Sequence, residues 1–482
     1  MLFNSIDFAV FLPIVFVLYW GVFQRSLRAR NIFLIITGCV FYGWWDWRFL
    51  GLLFFTAGAD YFVALAMSRT ELVSRRKFLM GISLVANLGL LGFFKYYDFF
   101  LQNFVDAFSL LGHPIGARAL NIVLPVGISF YTFQSLSYTF DVYRKQLPAV
   151  KDAPTFFAFV SFFPQLLAGP IERARNMLPQ FSSPRVFDKA MAYDGVRQML
   201  WGLFKKVVIA DNCAAIVNPV FADHGSYAGG TLMLALVLFA FQIYCDFSGY
   251  SDIAIGCARL LGFNLMRNFA YPYFSRDIAE FWRRWHISLS TWFRDYLYIP
   301  LGGSRLGQVR TVRNVMIIFV VSGFWHGANW TFIAWGAANG LLLVLLLLRK
   351  KNHAMKGTVA EGRMIPTLKE TGQMLFTFIL TCFIWTFFRA ESMTQVGEVF
   401  SAIFSPSLFH FAIPGTLRDL VFASAGIGVM LVLEWVARER QYGLQLDGIF
   451  NRPVRYGIYY GLVAMLILMA PLSGGEFIYF QF

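Results

Sequence analysis

The chain has 482 residues, of which 58% are hydrophobic and only 14% charged; its mean hydropathy is +0.58. A soluble globular domain carries about 25% charged and roughly 45–50% apolar residues, so an ordinary soluble enzyme, a disordered tail and a fibrous protein are excluded. There are 41 Lys and Arg against 27 Asp and Glu, a net charge of +14. That excess fits the positive-inside bias of a multi-pass membrane protein, or a basic surface for an acidic partner. The basic residues are scattered between apolar stretches, which excludes nucleic-acid binding.

At about 20 apolar residues per crossing, the sequence has room for roughly ten to twelve helices. The expected fold class is an all-α polytopic integral membrane protein, one domain over 1–482. Apolar runs fall at about 8–23, 31–45, 48–66, 78–100, 120–140, 196–220, 230–262, 314–325, 330–348, 372–388, 418–437 and 457–473. A shorter run at 156–168 contains Pro164 and Gly169; it is too short to cross and reads as re-entrant. Met1 to Asp7 lack the basic region of a signal peptide, so the first run is expected to stay as a span.

Basic residues cluster at 25–30, 69–77, 173–189, 276–313, 349–369 and 438–455, while 101–117, 217–229 and 390–416 are poor in them. With the basic loops inside, the alternation closes and both termini lie outside the cytoplasm. Trp44, Trp45 and Trp47 then fall at an outer turn, where an aromatic belt belongs. The segments 350–371 and 402–417 are linker candidates. Cys39, Cys213, Cys245, Cys257 and Cys382 show no zinc or redox spacing and read as small membrane-buried residues.

Two runs break the pattern. The run 230–262 is too long for one untilted pass and carries Asp246 and Asp252, and a carboxylate in hydrocarbon faces a cavity or a partner. His326 is thirteen residue steps from Arg313, about 20 Å of helix, short of a core of about 30 Å. A half-helix ending inside the membrane is expected there, with His326 near mid-depth between Gly323 and Gly327.

Of six histidines, His113, His224, His353 and His410 fall in polar connections. His326 is a candidate general base, because a neutral imidazole can take a proton from a hydroxyl and return it; the alternative is a helix-packing histidine bonded to a carbonyl. His286 lies in an amphipathic stretch in which Trp282, Trp285, Leu289 and Trp292 share one helical face. That stretch reads equally as an interfacial helix, and Arg283, Arg284 and Arg294 suit phosphates or an acidic carrier. No serine-hydrolase elbow, HExxH metal motif, P-loop or dinucleotide glycine fingerprint is present, so no metal is expected.

Several long motifs occur in one order. They are Leu124-Pro125-Val126-Gly127-Ile128-Ser129-Phe130-Tyr131, Phe163-Pro164-Gln165 with Ala168-Gly169-Pro170-Ile171, and Asp246-Phe247-Ser248-Gly249-Tyr250-Ser251-Asp252. Phe281-Trp282-Arg283-Arg284-Trp285-His286-Ile287-Ser288, Arg294-Asp295-Tyr296-Leu297-Tyr298-Ile299 and Leu301-Gly302-Gly303 follow. Trp325-His326-Gly327-Ala328-Asn329 and the terminal Phe477-Ile478-Tyr479-Phe480-Gln481-Phe482 complete the set. Through them the chain resembles, almost end to end, the membrane-bound O-acyltransferase (MBOAT) superfamily. The resemblance is to its bacterial alginate-acetylation (AlgI-like) branch and, more distantly, to its D-alanyl-transfer (DltB-like) branch.

The resemblance implies about eleven spans with re-entrant and interfacial helices around a central tunnel. It implies that His326 is the catalytic histidine and His286 a second histidine lining the chamber. Arg283, Arg284, Arg294, Asp246, Asp252, Trp325 and Asn329 would position the donor or line the chamber. Tyr479 reads either as an outer aromatic anchor or as a transient acyl acceptor activated by a nearby histidine. The implied reaction is acetyl transfer from a cytoplasmic thioester, acetyl-CoA or an acidic acyl carrier protein, with no bound cofactor. The expected location is the bacterial cytoplasmic (inner) membrane, and the acceptor an extracytoplasmic polysaccharide, reached through a separate SGNH-type acetyltransferase. The competing classes are a transporter or flippase, which intramembrane charges also suit, and a non-catalytic scaffold of a polysaccharide-modifying complex.

Overall fold

A computed structural model describes residues 1–113, 115–116, 119–120, 122–167, 169–349, 357–471 and 477. Among these residues the ordered elements are helices, and the chain divides into two compact units. The first comprises Met1–Ala192 with Ala258–Leu265, the second Tyr193–Cys257 with Met266–Phe482.

The first unit opens with α1 (Ile6–Gly21), α2 (Leu27–Asp46) and α3 (Leu50–Ser68). The hydroxyls of Ser5 and Ser26 cap α1 and α2, accepting from Phe8 N and Ala29 N and filling donors that a helix start leaves empty. Trp44, Trp45 and Trp47 are exposed at the α2–α3 turn. α4 (Val73–Leu91) continues through a π-turn at Gly92–Tyr96 into α5 (Tyr97–Leu110).

The run expected at 120–140 becomes a helix only from Ile128, as α6 (Ile128–Tyr143). Gly127 holds a left-handed φ of 76°, which a glycine adopts without strain, and this sets the later start. The 156–168 segment is not one helix but α7 (Ala153–Val160) and α8 (Phe163–Leu166), broken at Ser161–Phe162 before Pro164. α9 (Ala174–Ser182) closes the unit.

Close contacts fix α2 against the end of α7, and α3 against α4 and α6. A Cβ on Gly38 would lie 1.9 Å from the Ser161 carbonyl oxygen, so only glycine lets α2 approach the break after α7. Asp60 of α3 is fully buried and accepts from Ser83 and Asn87 of α4 and from Ser135 of α6. A buried carboxylate persists only with such partners.

α10 (Lys189–Leu203), which belongs to the second unit from Tyr193 on, runs through a π-helical turn at Phe204–Ala210 into α11 (Asp211–Ala222). α12 (Gly229–Leu260) is 32 residues long and largely buried. The amphipathic stretch forms two seven-residue helices, α13 (Ile278–Arg284) and α14 (Ile287–Phe293). The single face expected for Trp282, Trp285, Leu289 and Trp292 is therefore corrected: the helix breaks at Trp285–His286. It is not an interfacial surface helix either, since Trp285, Leu289 and Trp292 are buried.

α15 (Gln308–His326) and α16 (Trp330–Leu348) are 19-residue helices joined by a three-residue turn. α15 starts earlier than the apolar run, taking in Arg310 and Arg313, and it is not among the helices apolar enough to cross. α17 (Leu368–Arg389), α18 (Met393–Ile403), α19 (Leu417–Val436) and α20 (Arg452–Met469) complete the unit. Among the described residues, six helical stretches are long and apolar enough to cross a membrane: 27–68, 73–110, and α12, α16, α17 and α19.

Candidate active site

His326 is the last residue of α15, and its position follows from how closely α15 and α16 pack. A Cβ on Gly323 would lie 2.2 Å from the Phe332 carbonyl oxygen, and one on Gly336 2.2 Å from that of Phe319. The two glycines face each other and let the backbones meet. Small residues serve this purpose in membrane bundles, where lipid tails offer no hydrophobic gain from burial. A Cβ on Gly327 would strike the Phe332 ring at 2.2 Å, so that ring would have to move. Asn329 restarts the chain as α16: its side chain accepts from Thr331 N at 3.0 Å and donates to the Glu391 carbonyl at 2.8 Å.

The His326 ring is 5% exposed. It stands 4.9 Å from Trp325, 5.1 Å from Trp335 and 5.3 Å from Phe388, measured between ring centroids.

His286 sits at the break between α13 and α14 with φ 43° and ψ 54°. A side chain in this left-handed region costs about 1–2 kcal/mol, so surrounding contacts must hold it. Asn268 does so through the two residues that follow. Its backbone carbonyl accepts from Ile287 N at 2.9 Å, and its side-chain oxygen accepts from the Ser288 hydroxyl at 2.9 Å. Its side-chain nitrogen donates to the Ser251 hydroxyl of α12 at 3.2 Å. The His286 ring packs edge-on against Phe247 at 4.7 Å and lies 6.2 Å from Trp325 and 6.3 Å from His326. His286 lies outside the candidate spans, and burial pushes its imidazole down to about 3, so the ring is neutral at pH 7.

The two histidines named from sequence are thus brought together with Trp325, from segments forty residues apart in the chain. The other named residues lie elsewhere. Arg283 is exposed. Arg284 pairs with Glu280 at 2.8 Å, and Arg276 pairs with the other oxygen of the same carboxylate at 2.9 Å. Burial opposes ionisation of Glu280, but the two guanidiniums hold its carboxyl below the usual range. Arg294 is mostly exposed and pairs with Asp295 at 2.9 Å.

Asp246 and Asp252 are held in an ion-pair network. Lys206 bridges Asp246 at 2.7 Å and Asp211 at 2.8 Å, and Lys205 meets Asp252 at 2.7 Å. Gln198 donates to Asp252 at 2.7 Å. Beside them the buried Glu434 accepts from the Tyr244 hydroxyl at 2.8 Å. Tyr479 lies outside the described residues. Phe477, two positions before it, is buried against Tyr250 at 4.5 Å and Phe247 at 6.4 Å.

Lys205, Lys206, Asp211, Glu434 and Asn268 escaped the reading of the sequence. The first four carried a usable signal, being ionisable residues inside apolar runs. Asn268 carried none, since it follows the α12 run in an irregular connection.

The fold thus buries two imidazoles side by side in an aromatic shell. Residues 144–369 match the MBOAT, membrane-bound O-acyltransferase family. The probable alginate O-acetylase AlgI of Azotobacter vinelandii is 40% identical over 414 residues, 84% of this chain and 78% of that one. The peptidoglycan O-acetyltransferase of Helicobacter pylori is 36% identical over 433 residues, 83% and 79% of the two chains. The teichoic acid D-alanyltransferase of Streptococcus thermophilus is 31% identical over 274 residues, 54% of this chain and 65% of that one. The chain belongs to the membrane-bound O-acyltransferase family. It is an O-acyltransferase and a multi-pass bacterial membrane protein.

Proposed function

We propose that this protein transfers an acetyl group from a cytoplasmic thioester, acetyl-CoA or an acylated carrier protein, for O-acetylation of an extracytoplasmic polysaccharide. The setting is the bacterial inner membrane, with both termini outside. His326 is the general base. It takes the proton from an acceptor hydroxyl as that oxygen attacks the thioester carbonyl carbon. The C–S bond then breaks, and the imidazolium returns the proton to the departing sulfur. His286, neutral and 6.3 Å away, faces the same small acyl group and assists by hydrogen bonding. The aromatic shell keeps water from the thioester while the acceptor is in place.

The observation that carries this reading is the convergence of His326 and His286 on Trp325 in a buried apolar setting. Two imidazoles are not needed there for packing, and a strained backbone at one of them suits a functional position. The similarity to alginate and peptidoglycan O-acetyltransferases supports a cell-surface glycan as the acceptor. Arg283 and Arg294 are exposed and suit a donor's phosphates or an acidic carrier, and Arg284 is held beside them by Glu280. Asp246 and Asp252 act through their lysine partners to fix α12, which carries Phe247 against His286. Trp325 lines the chamber and Asn329 fixes the turn that follows His326. Tyr479 is the candidate acyl relay toward an outer SGNH-type acetyltransferase; Phe477, two positions before it, is buried near Phe247.

The test compares wild type and His326→Ala in the native host at matched membrane levels, quantifying ester-linked acetate and total polymer at the surface. Loss of acetate with polymer retained is expected. Unchanged acetate, or loss of the polymer itself, contradicts the proposal; the latter is what a transporter or flippase would show.

A further inference from the structure

The second unit contains a cavity of about 590 Å³ whose lining includes neither His326 nor His286. It lies along the α16–α17 pair. Its apolar wall is built from Leu342, Leu345 and Leu346 of α16 and Phe376 and Leu380 of α17. Arg349 caps the C-terminal end of α16, Lys369 is the second residue of α17, and Arg276 stands beside α13. α16 ends and α17 begins on the same side, so the cations share one end of the groove. Arg276 is engaged by Glu280 and Glu370, while Arg349 and Lys369 are exposed.

The dimensions narrow the occupant. From Lys369 to Leu380 is eleven residues of helix, about 16 Å at 1.5 Å per residue. That equals half of a hydrocarbon core of about 30 Å, the depth of one leaflet's acyl chain. A groove with cations at one end and one leaflet of apolar wall behind them complements a single amphiphile with an anionic head. Basic pockets between membrane helices take such head groups.

We propose that this groove is a binding site for one anionic phospholipid, its phosphate on Arg349 and Lys369 and one acyl chain along Leu345, Phe376 and Leu380. The wall includes Asp277 and Ile278 at the start of α13, eight residues before His286, so occupancy braces the segment that carries the second histidine.

The full-length protein, purified in mild detergent, is incubated with phosphatidylglycerol or phosphatidylcholine, and bound lipid is counted by native mass spectrometry. Wild type retains one phosphatidylglycerol in preference to phosphatidylcholine. Each surface Lys or Arg contributes about five-fold to attraction of an anionic lipid, so Arg349→Gln with Lys369→Gln lowers that preference about 25-fold. Leu345→Trp, which fills the wall and leaves the charges, removes the bound lipid without lowering the melting temperature. Equal retention of the two lipids by wild type overturns the proposal. So does undiminished retention in both variants, or displacement of the lipid by free coenzyme A, which would assign the groove to the donor.

Discussion

Gly336→Ala tests whether the close approach of α15 and α16 sets the position of His326. The added Cβ would lie 2.2 Å from the Phe319 carbonyl oxygen, 3.0 Å from its carbon and 3.2 Å from Gly323 Cα. All three are backbone atoms, so no side chain can swing away. Ordinary contact starts near 3.4 Å, so the helices must part by about 1.2 Å. Overpacking of this kind costs about 1–3 kcal/mol, and helix propensity returns about 1 kcal/mol of it. A net loss of about 0–2 kcal/mol leaves the protein folded. The effect on activity is larger, since a shift of about 1 Å in a catalytic group can cost about 100-fold. The assay is acetyl-ester formation at matched protein level, alongside thermal unfolding in detergent. Gly428→Ala is the control: it lies on α19 with nothing within 4 Å of its Cβ, so it should gain about 0.5–1 kcal/mol from helix propensity and keep full activity. Wild-type activity in Gly336→Ala would refute the argument that helix separation positions the histidine.

Other consequences follow from the same contacts. Lys206→Met leaves Asp211 and Asp246 buried without their shared cation, a change worth about 3–5 kcal/mol; little monodisperse protein should be recovered by size-exclusion chromatography, and a normal yield would contradict the pairing. Asn268→Ala removes the acceptor of the Ser288 hydroxyl and the donor to Ser251, at about 1–3 kcal/mol for the groups left unmade. Activity should fall while protein level holds, and unchanged turnover would show that His286 needs no such clamp. The Glu280 carboxyl is held below its ordinary range in the folded protein, so its pairing with Arg276 and Arg284 contributes fully above the unfolded value of about 4.3. That contribution is lost only as pH falls through the lower folded value. Protection factors over 276–286, with the intrinsic pH dependence of amide exchange divided out, should be flat from neutrality to mild acid and fall below it, and a fall near pH 6 would contradict this.

Much of the bundle was legible because hydrocarbon imposes a simple rule on sequence. Each of the twelve apolar runs meets a helix, as long apolar stretches have few other ways to satisfy their backbone. The failures were local. At Gly127 a left-handed turn delayed a helix that hydropathy alone would start earlier. At His286 a periodic tryptophan pattern suggested one continuous face, yet Asn268, distant in sequence, stabilises a break that periodicity cannot register. At α15 charged residues hid the first helical turns from a hydropathy window, although helices tolerate arginine at their ends. The histidine pair was legible as two separate oddities and in the family resemblance, but the contact of both rings with Trp325 required the fold. The arginines near His286 read as a donor cluster; the partner that holds Arg284 is Glu280, four residues earlier on the same short helix.

The central claim is that the His326 imidazole moves the proton in acyl transfer. The most direct measurement uses purified wild-type and His326→Gln protein in proteoliposomes, with a labelled acetyl thioester supplied on one face and an acceptor on the other. Free thiol release is followed together with ester formation, with binding of the donor measured separately. The account predicts that His326→Gln binds the thioester as wild type does but releases thiol and forms ester at least about 100-fold more slowly, the scale of general acid–base catalysis. Thiol release at the wild-type rate by the variant would contradict it.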